Sequence, residues 1–341
     1  MKKYLVLLIT VICSALMFGC TYDNQILDKN KYTVVCTNFA GYDWTMNVIG
    51  EKSNLYDVKL ITDSGTDIHS YQPTTFDIAI INECDILVCT GGESEGWVLD
   101  AAKGYDDKVV NMMELLKDVI REEEIVEGME AEDDEHDEGS EESHDNEVLE
   151  SDHEHEHHEE EPEYDEHVWL SLNNAQLVVN GICEKVSELD SKNADYYERS
   201  AAAYNVRLSD LNDKYENVVA NASGDTLVFG DRFPFRYLTD DYDLNYYAAF
   251  VGCSTESDAA FDTIVFLMEK IREYGMDCVI AIEKSDCSVA KSVVNVTSDK
   301  ALKILELNSM QSVTRRQIDE GFTYLGAMES NLAVLEEALN Y

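Results

Sequence analysis

Basic residues and prolines are scarce in this 341-residue chain. It contains 25 lysines and arginines against 70 acidic residues, and its net charge is −45. Such a charge excludes a nucleic-acid-binding role, because the protein repels phosphate backbones, and it favours cationic ligands. Only three prolines occur, so no proline-rich linker marks a domain boundary. The apolar fraction of 45% is nevertheless sufficient for a sizeable core.

The chain also lacks the spacing patterns of common catalytic and zinc-finger motifs. There is no Cys-x-x-Cys pair among its nine cysteines. The segment Gly91-Gly92-Glu93 lacks the lysine and the glycine spacing of a phosphate-binding loop. Only two of the eight histidines lie outside one acidic tract, and both are in candidate metal-binding loops, so an acid–base triad is hard to build. We therefore predict that the protein is not an enzyme.

The first 20 residues have the pattern of an export signal. Lys2 and Lys3 precede an apolar run over residues 4–18, which is shorter than the ~20 residues of a membrane span. The run ends at Gly19-Cys20, as in the cleavage box of bacterial lipoproteins. We predict a signal peptide over residues 1–19 and a lipid on Cys20, which would tether the protein to the extracytoplasmic face of the cell membrane. An ordinary signal peptide or an uncleaved anchor is the alternative.

Residues 31–190 read as an α/β lobe. Short apolar runs at 31–39, 56–62, 85–90 and 108–111 predict strands, and helices are predicted at 41–50, 76–82 and 173–189. Strands that alternate with helices indicate parallel strands in βαβ units.

A long helix and a second α/β lobe follow. Apolar residues at helical spacing predict one helix over about residues 191–222, long enough to act as a rigid connection. Over residues 223–341 the alternation returns, with strands predicted at 226–230, 248–251, 277–282 and 301–307 and helices at 258–274, 289–297 and 318–339. The expected architecture is two α/β lobes, each with a small and mostly parallel sheet, joined by that helix.

An acidic, histidine-rich tract interrupts the first lobe. Residues 121–166 contain 25 acidic residues and one arginine, a composition that predicts a disordered insert because it cannot bury apolar surface. Its imidazoles and carboxylates would bind zinc weakly at several points, or the tract would be only a solvated charge run. The accessory zinc-binding candidates are His153, His155, His157 and His158.

The two histidines outside the tract are His69 and His167. Each follows acidic residues in a loop between predicted elements, with Asp67 before the first and Asp165 before the second. Loops at the ends of parallel strands are where α/β folds bind ligands. From the residues alone, a metal-ligating role and a structural role remain about equally supported.

Several segments together resemble the metal-binding solute-binding lipoproteins of zinc and manganese ABC importers. These segments are VVCTNFAGYDW at 34–44, DIHSYQPT at 67–74, DEHVWLS at 165–171 and YLGAMESNLAVL at 324–335. An acidic, histidine-rich loop ahead of the second ligand segment is typical of the zinc-selective members. The resemblance implies two α/β lobes joined by a long rigid helix, with one metal ion in the cleft between the lobes.

The resemblance assigns His69 and His167 as ligands of the first lobe, but the second lobe departs from the family pattern. The third ligand position falls on Arg232, and a permanently protonated guanidinium is not a zinc ligand. Two imidazoles with one or two oxygens suit zinc, and manganese remains open. The second-lobe oxygen candidates are Asp231, Asn308 and Glu283.

The predicted function is that of a monomeric binding protein that captures zinc. It would be held to the membrane by its lipid and would deliver the metal to the permease and ATPase of an ABC importer. One alternative is a zinc-storage or adhesion lipoprotein with a degenerate cleft. A metal-dependent hydrolase is a further alternative, but it needs a general base that the sequence does not reveal.

Overall fold

The structure is a computed structural model that describes residues 27–28, 30–130, 163–254, 258–297 and 302–341. The predicted signal peptide, Cys20 and the four accessory zinc-binding candidates of the tract lie outside these ranges. Within them, no helix is both long and apolar enough to cross a membrane. The seven cysteines from Cys36 onward are all free thiols, so no disulfide holds the described part of the fold.

The first lobe is a four-stranded parallel sheet covered by helices. Its strand order is β2-β1-β3-β4. The central strands are buried along almost their whole length, as expected for a parallel sheet covered on both faces. The elements are β1 (Tyr32–Cys36), α1 (Phe39–Ile49), β2 (Tyr56–Leu60), α2 (Thr75–Glu83), β3 (Ile86–Cys89), α3 (Gly96–Ala101), β4 (Val109–Asn111), α4 (Met112–Leu115) and α5 (Leu172–Leu189).

The second lobe repeats this architecture after the helix α6 (Ala194–Asn221). Its four strands are parallel in the order β6-β5-β7-β8. Two all-parallel sheets confirm the predicted α/β class. The elements are β5 (Thr226–Phe233), α7 (Arg236–Asp241), β6 (Asn245–Val251), α8 (Phe261–Tyr274), β7 (Cys278–Ile282), α9 (Ser288–Val296), β8 (Lys303–Leu307), α10 (Arg315–Asp319) and α11 (Tyr324–Ala338).

Helix α6 is the predicted long connection. Its 28 residues make it about 42 Å long at about 1.5 Å per residue. One face, which carries Tyr197, Tyr204, Leu208 and Tyr215, is buried in the main hydrophobic core. That core contains residues of both lobes. The helix therefore joins the lobes through packing as well as through the chain.

The C-terminal helix begins later than predicted. Residues 318–339 were expected to form one helix, but the chain ends α10 at Asp319 and starts α11 at Tyr324. Gly321 has a φ of +95°, a conformation that glycine adopts easily and that stops a helix. The side chain of Thr323 then accepts a hydrogen bond from the backbone of Gly326 and caps α11.

The two ends of the acidic tract are ordered, which differs from the predicted disorder over residues 121–166. The backbone N–H of Glu123 donates to the carbonyl of Glu163 at 2.9 Å, and that of Asp165 donates to Arg121 at 2.9 Å. The backbone of Glu130 bonds to Ala249 of the second lobe at 2.9 Å. These backbone partners order acidic residues that hydrophobic burial alone would not order. The rest of the tract lies outside the described residues.

Candidate metal centre

His69 lies in the loop after β2, within a short 3₁₀ turn (Ile68–Ser70). The Asp67 carboxylate caps this turn by accepting a hydrogen bond from the His69 backbone at 3.0 Å. Ile68 is buried and anchors the turn to the first lobe. The sequence Asp-Ile-His thus fixes the imidazole at the cleft through one cap and one apolar side chain.

Asp165 orients His167, which is fully buried. One oxygen of Asp165 accepts from the His167 backbone at 2.8 Å and lies 2.9 Å from its Nδ1. This contact places the hydrogen of the neutral ring on Nδ1, so the lone pair is on Nε2. The next residue but one, Trp169, donates from its indole nitrogen to the carbonyl of Ser309 at 2.9 Å. The His167 loop is therefore tied directly to the second lobe.

The two imidazoles meet in the cleft. Nε2 of His69 lies 3.1 Å from Nε2 of His167. Two nitrogen ligands at about 2.0–2.1 Å from one zinc ion lie about 3.3 Å apart in a tetrahedral arrangement. The observed separation is therefore close to that of two ligands of a single metal ion.

The surroundings affect the two rings in opposite ways. Burial, with the nearby His167 and Arg232, lowers the pKa of His69 to about 3, although Asp67 and Asp165 act in the opposite direction. Burial also opposes protonation of His167, but the carboxylates of Asp165, Glu166 and Asp67 together outweigh it and raise the pKa of that ring. His69 is thus a neutral donor at any physiological pH. Protons would compete with a bound metal ion mainly at His167.

The three predicted second-lobe ligands have other partners. Glu283 accepts hydrogen bonds from the backbone and the hydroxyl of Ser309, at 2.7 and 2.9 Å. Asp231 accepts from its neighbouring backbone and, at 3.3 Å, from the backbone of Ile282. The side-chain oxygen of Asn308 accepts from the Met310 backbone at 2.9 Å, so it forms a turn.

Among the described residues, one group of histidine, cysteine or carboxylate ligand atoms lies within 4.8 Å of one another. Neither Asp231 nor Glu283 belongs to this group. The structure therefore brings together His69 and His167 but none of the three second-lobe candidates. Asn308 is an amide and was therefore not a candidate for this group. Its side-chain oxygen already accepts a hydrogen bond from the backbone of Met310.

Arg232 pairs with Asp67 across the cleft, and it also donates to the carbonyl of Ser254 at 3.2 Å. The guanidinium is mostly buried, and it lines a cavity of about 320 Å³ together with Asp231 and Glu283. At the position where the resemblance implies a third ligand, this chain instead has an ion pair between the lobes.

The sequence interpretation missed Gln311. Its side-chain nitrogen lies 2.8 Å from Nε2 of His167, and the residue is buried. It follows Met310, whose φ is +61°, and this turn directs the amide into the cleft. The available signal was a polar residue three positions after Asn308 in the same loop.

Cys253 was also missed as a candidate. It lies two residues beyond the end of β6, and it completes the group of ligand atoms around His69 and His167. The sequence places it at the carboxyl end of a parallel strand, where ligands bind. Among seven cysteines, however, that position alone was a weak signal.

The chain matches a known protein family. The family model for ZnuA, described as the periplasmic component A of a zinc-uptake complex, matches residues 34–338. A zinc-binding protein AdcA from Streptococcus pyogenes is 26% identical over 335 residues, which are 98% of this chain but 61% of that protein. The chain therefore spans less than two thirds of the length of this relative. A high-affinity zinc uptake system protein ZnuA from Bacillus subtilis is 26% identical over 342 residues, 99% of this chain and 98% of that protein.

The fold also matches a solved structure. The Zn(II)-bound ZnuA-like domain of AdcA from Streptococcus pneumoniae superposes with a TM-score of 0.66 at 23% identity. The match covers 91% of this chain and all of that domain. At this level of identity the likeness establishes the two-lobed fold alone.

Proposed function

This chain belongs to the ZnuA family of zinc-uptake components, and from that membership we propose that it captures zinc in its cleft and delivers it to an ABC importer. Such a protein binds and hands over a solute and catalyses no reaction. The observation that carries the proposal is the 3.1 Å approach of Nε2 of His69 to Nε2 of His167.

The chemistry of the pair supports zinc as the cargo. Imidazole nitrogen is a common zinc ligand, whereas magnesium, calcium and manganese prefer oxygen. A carboxylate orients each histidine. Asp165 contacts Nδ1 of the His167 ring, and Asp67 accepts a hydrogen bond from the backbone of His69. Rings that are already oriented lose little conformational freedom when a metal ion binds. Zinc is therefore a better match to this site than manganese.

The N-terminal pattern supports a location outside the cell. The basic residues, the short apolar run and Cys20 are those of a lipoprotein signal. We propose that the lipid on Cys20 anchors the protein at the outer face of the membrane, beside the permease it serves. The tract histidines would bind zinc weakly, because surrounding carboxylates raise the local cation concentration.

Zinc titration of the lipid-free mature chain tests the capture site. His153, His155, His157 and His158 are replaced by asparagine, so that the tract contributes little binding. We expect one tight equivalent of zinc, displaced only by a strong chelator, and its loss in the His69→Ala variant. If the protein with intact His69 and His167 shows no tight equivalent, the cleft is degenerate and zinc storage by the tract becomes the better explanation.

A further inference from the structure

We propose that Cys253 is the metal ligand of the second lobe, so that the cleft binds zinc through two imidazole nitrogens and one thiolate sulfur. This inference rests on the proposed function and adds to it a donor of a different chemical class. Its ligand atom and those of His69 and His167 all lie within 4.8 Å of one another. A small movement of these side chains brings all three donors to one ion.

The glycine before Cys253 allows the backbone to lie close to the His167 ring. Its neighbour Gly252 lies against the ring, and a Cβ added at Gly252 would be 3.0 Å from Cε1 and 3.2 Å from Nδ1 of His167. A larger residue at position 252 would therefore push this strand end away from the imidazole. The glycine allows the β6 end, and with it the thiol, to reach the first-lobe ligands.

Two other charged groups of the second lobe at the cleft are already engaged. Arg232 is a cation paired with Asp67, and the two oxygens of Glu283 accept hydrogen bonds from Ser309. Two neutral imidazoles bring no negative charge into direct contact with a dication. A thiolate supplies negative charge directly at the metal, and sulfur together with nitrogen favours zinc over magnesium, calcium and manganese.

The remaining described cysteines do not compete for this role. Five of them are buried in the two lobes, namely Cys36, Cys84, Cys89, Cys183 and Cys278. Cys287, like Cys253, is half-buried, but its sulfur faces the carbonyl of Ser285 at 3.6 Å. Cys287 is therefore a matched control, with similar exposure and a position outside the histidine cluster.

Coordination at Cys253 exchanges one bond for another. The S–H bond breaks, a sulfur–zinc bond forms with the sulfur electron pair, and the proton passes to water. No oxidant or reductant takes part, and zinc remains Zn²⁺ throughout. Acidification reverses the exchange, so the sulfur ligand is lost together with the metal.

Cobalt titration of the full mature chain separates this inference from the proposed function. We expect the cobalt form to show a near-ultraviolet sulfur-to-cobalt charge-transfer band. Cys253→Ser removes the band and weakens metal binding at least tenfold, whereas Cys287→Ser changes neither. Tight cobalt binding without the band overturns the thiolate ligand and leaves zinc capture standing. Absence of any tight binding overturns both.

Thiol alkylation of the unmutated protein gives a test that does not depend on the folding of a variant. The rate of modification at Cys253, followed by mass spectrometry of peptides, should fall at least tenfold with one equivalent of zinc. The rate at Cys287 should not change. An equal rate at Cys253 with and without bound zinc overturns the assignment.

Discussion

The Asp165→Asn substitution isolates the effect of one buried charge on the metal centre. A single oxygen of Asp165 accepts two hydrogen bonds from His167, one from the backbone at 2.8 Å and one from Nδ1 at 2.9 Å. The amide oxygen of asparagine has the same shape and two lone pairs, so it can accept both bonds. The ring therefore stays oriented, and the change removes the negative charge behind it.

The structure sets the expected size of this effect. Loss of a carboxylate behind a ligating histidine costs about 10–100-fold in metal affinity, or about 1.4–2.7 kcal/mol. Asp165 is only 3% exposed, so water screens its charge poorly and we expect the upper part of that range. The substitution also removes the contact that raises the pKa of His167. Less proton competition offsets part of the loss at low pH, so the full loss should be seen above neutral pH.

Competition with a chromophoric chelator at about pH 8 measures the change in zinc affinity. The matched control is Asp190→Asn, a second buried carboxylate at the end of α5 that accepts from Tyr197 at 2.7 Å. It should leave zinc affinity unchanged even if it lowers stability. A change of less than about twofold in Asp165→Asn would show that the carboxylate does not act on the metal through His167.

Three further predictions concern the cleft and the core. Gln311→Glu places a carboxylate beside His167 and should strengthen zinc binding about tenfold or more; weaker binding in the same chelator competition would contradict this. Tyr215→Phe removes a buried hydrogen bond of 2.6 Å to the carbonyl of Met328, and urea unfolding should show a loss of about 1–2 kcal/mol, whereas no measurable loss would mean that water replaces the hydroxyl. Burial raises the pKa of Asp43 from its ordinary 3.8 to about 6. Its contribution to stability is therefore full below about pH 4 and is lost as the pH rises through about 6, by roughly 3 kcal/mol. Urea unfolding from pH 4 to 7 should show a shallower decline in Asp43→Asn, and parallel curves would refute the assignment.

Local patterns were sufficient for most of the secondary structure. The apolar runs of β1, β3 and β7 are short and bounded by polar residues, and the spacing of apolar residues in α5 and α6 is helical. Such signals lie within one element, where neighbours in sequence are neighbours in space. The break between α10 and α11 was missed because a single glycine at positive φ decides it.

The two candidate ligands of the first lobe could also be identified from the sequence. His69 and His167 are the two histidines outside the acidic tract, and each follows an acidic residue in a loop. Their 3.1 Å approach joins positions that are 98 residues apart. The resemblance of the segments around both histidines to a known family supported that pairing. No local pattern, however, predicts the distance between the two rings.

The charge of the chain, its α/β class, the long helix and the two imidazoles follow from the amino-acid sequence alone. The surroundings of those imidazoles depend on how the two lobes pack. The arrangement of strands in the second sheet brings Cys253 and Gln311 to His167, and the same arrangement pairs Arg232 with Asp67. Loops at the ends of parallel strands meet because the sheet orders them, and residues far apart in the chain become neighbours for that reason alone. Which second-lobe side chain faces the two imidazoles therefore depends on how the lobes pack.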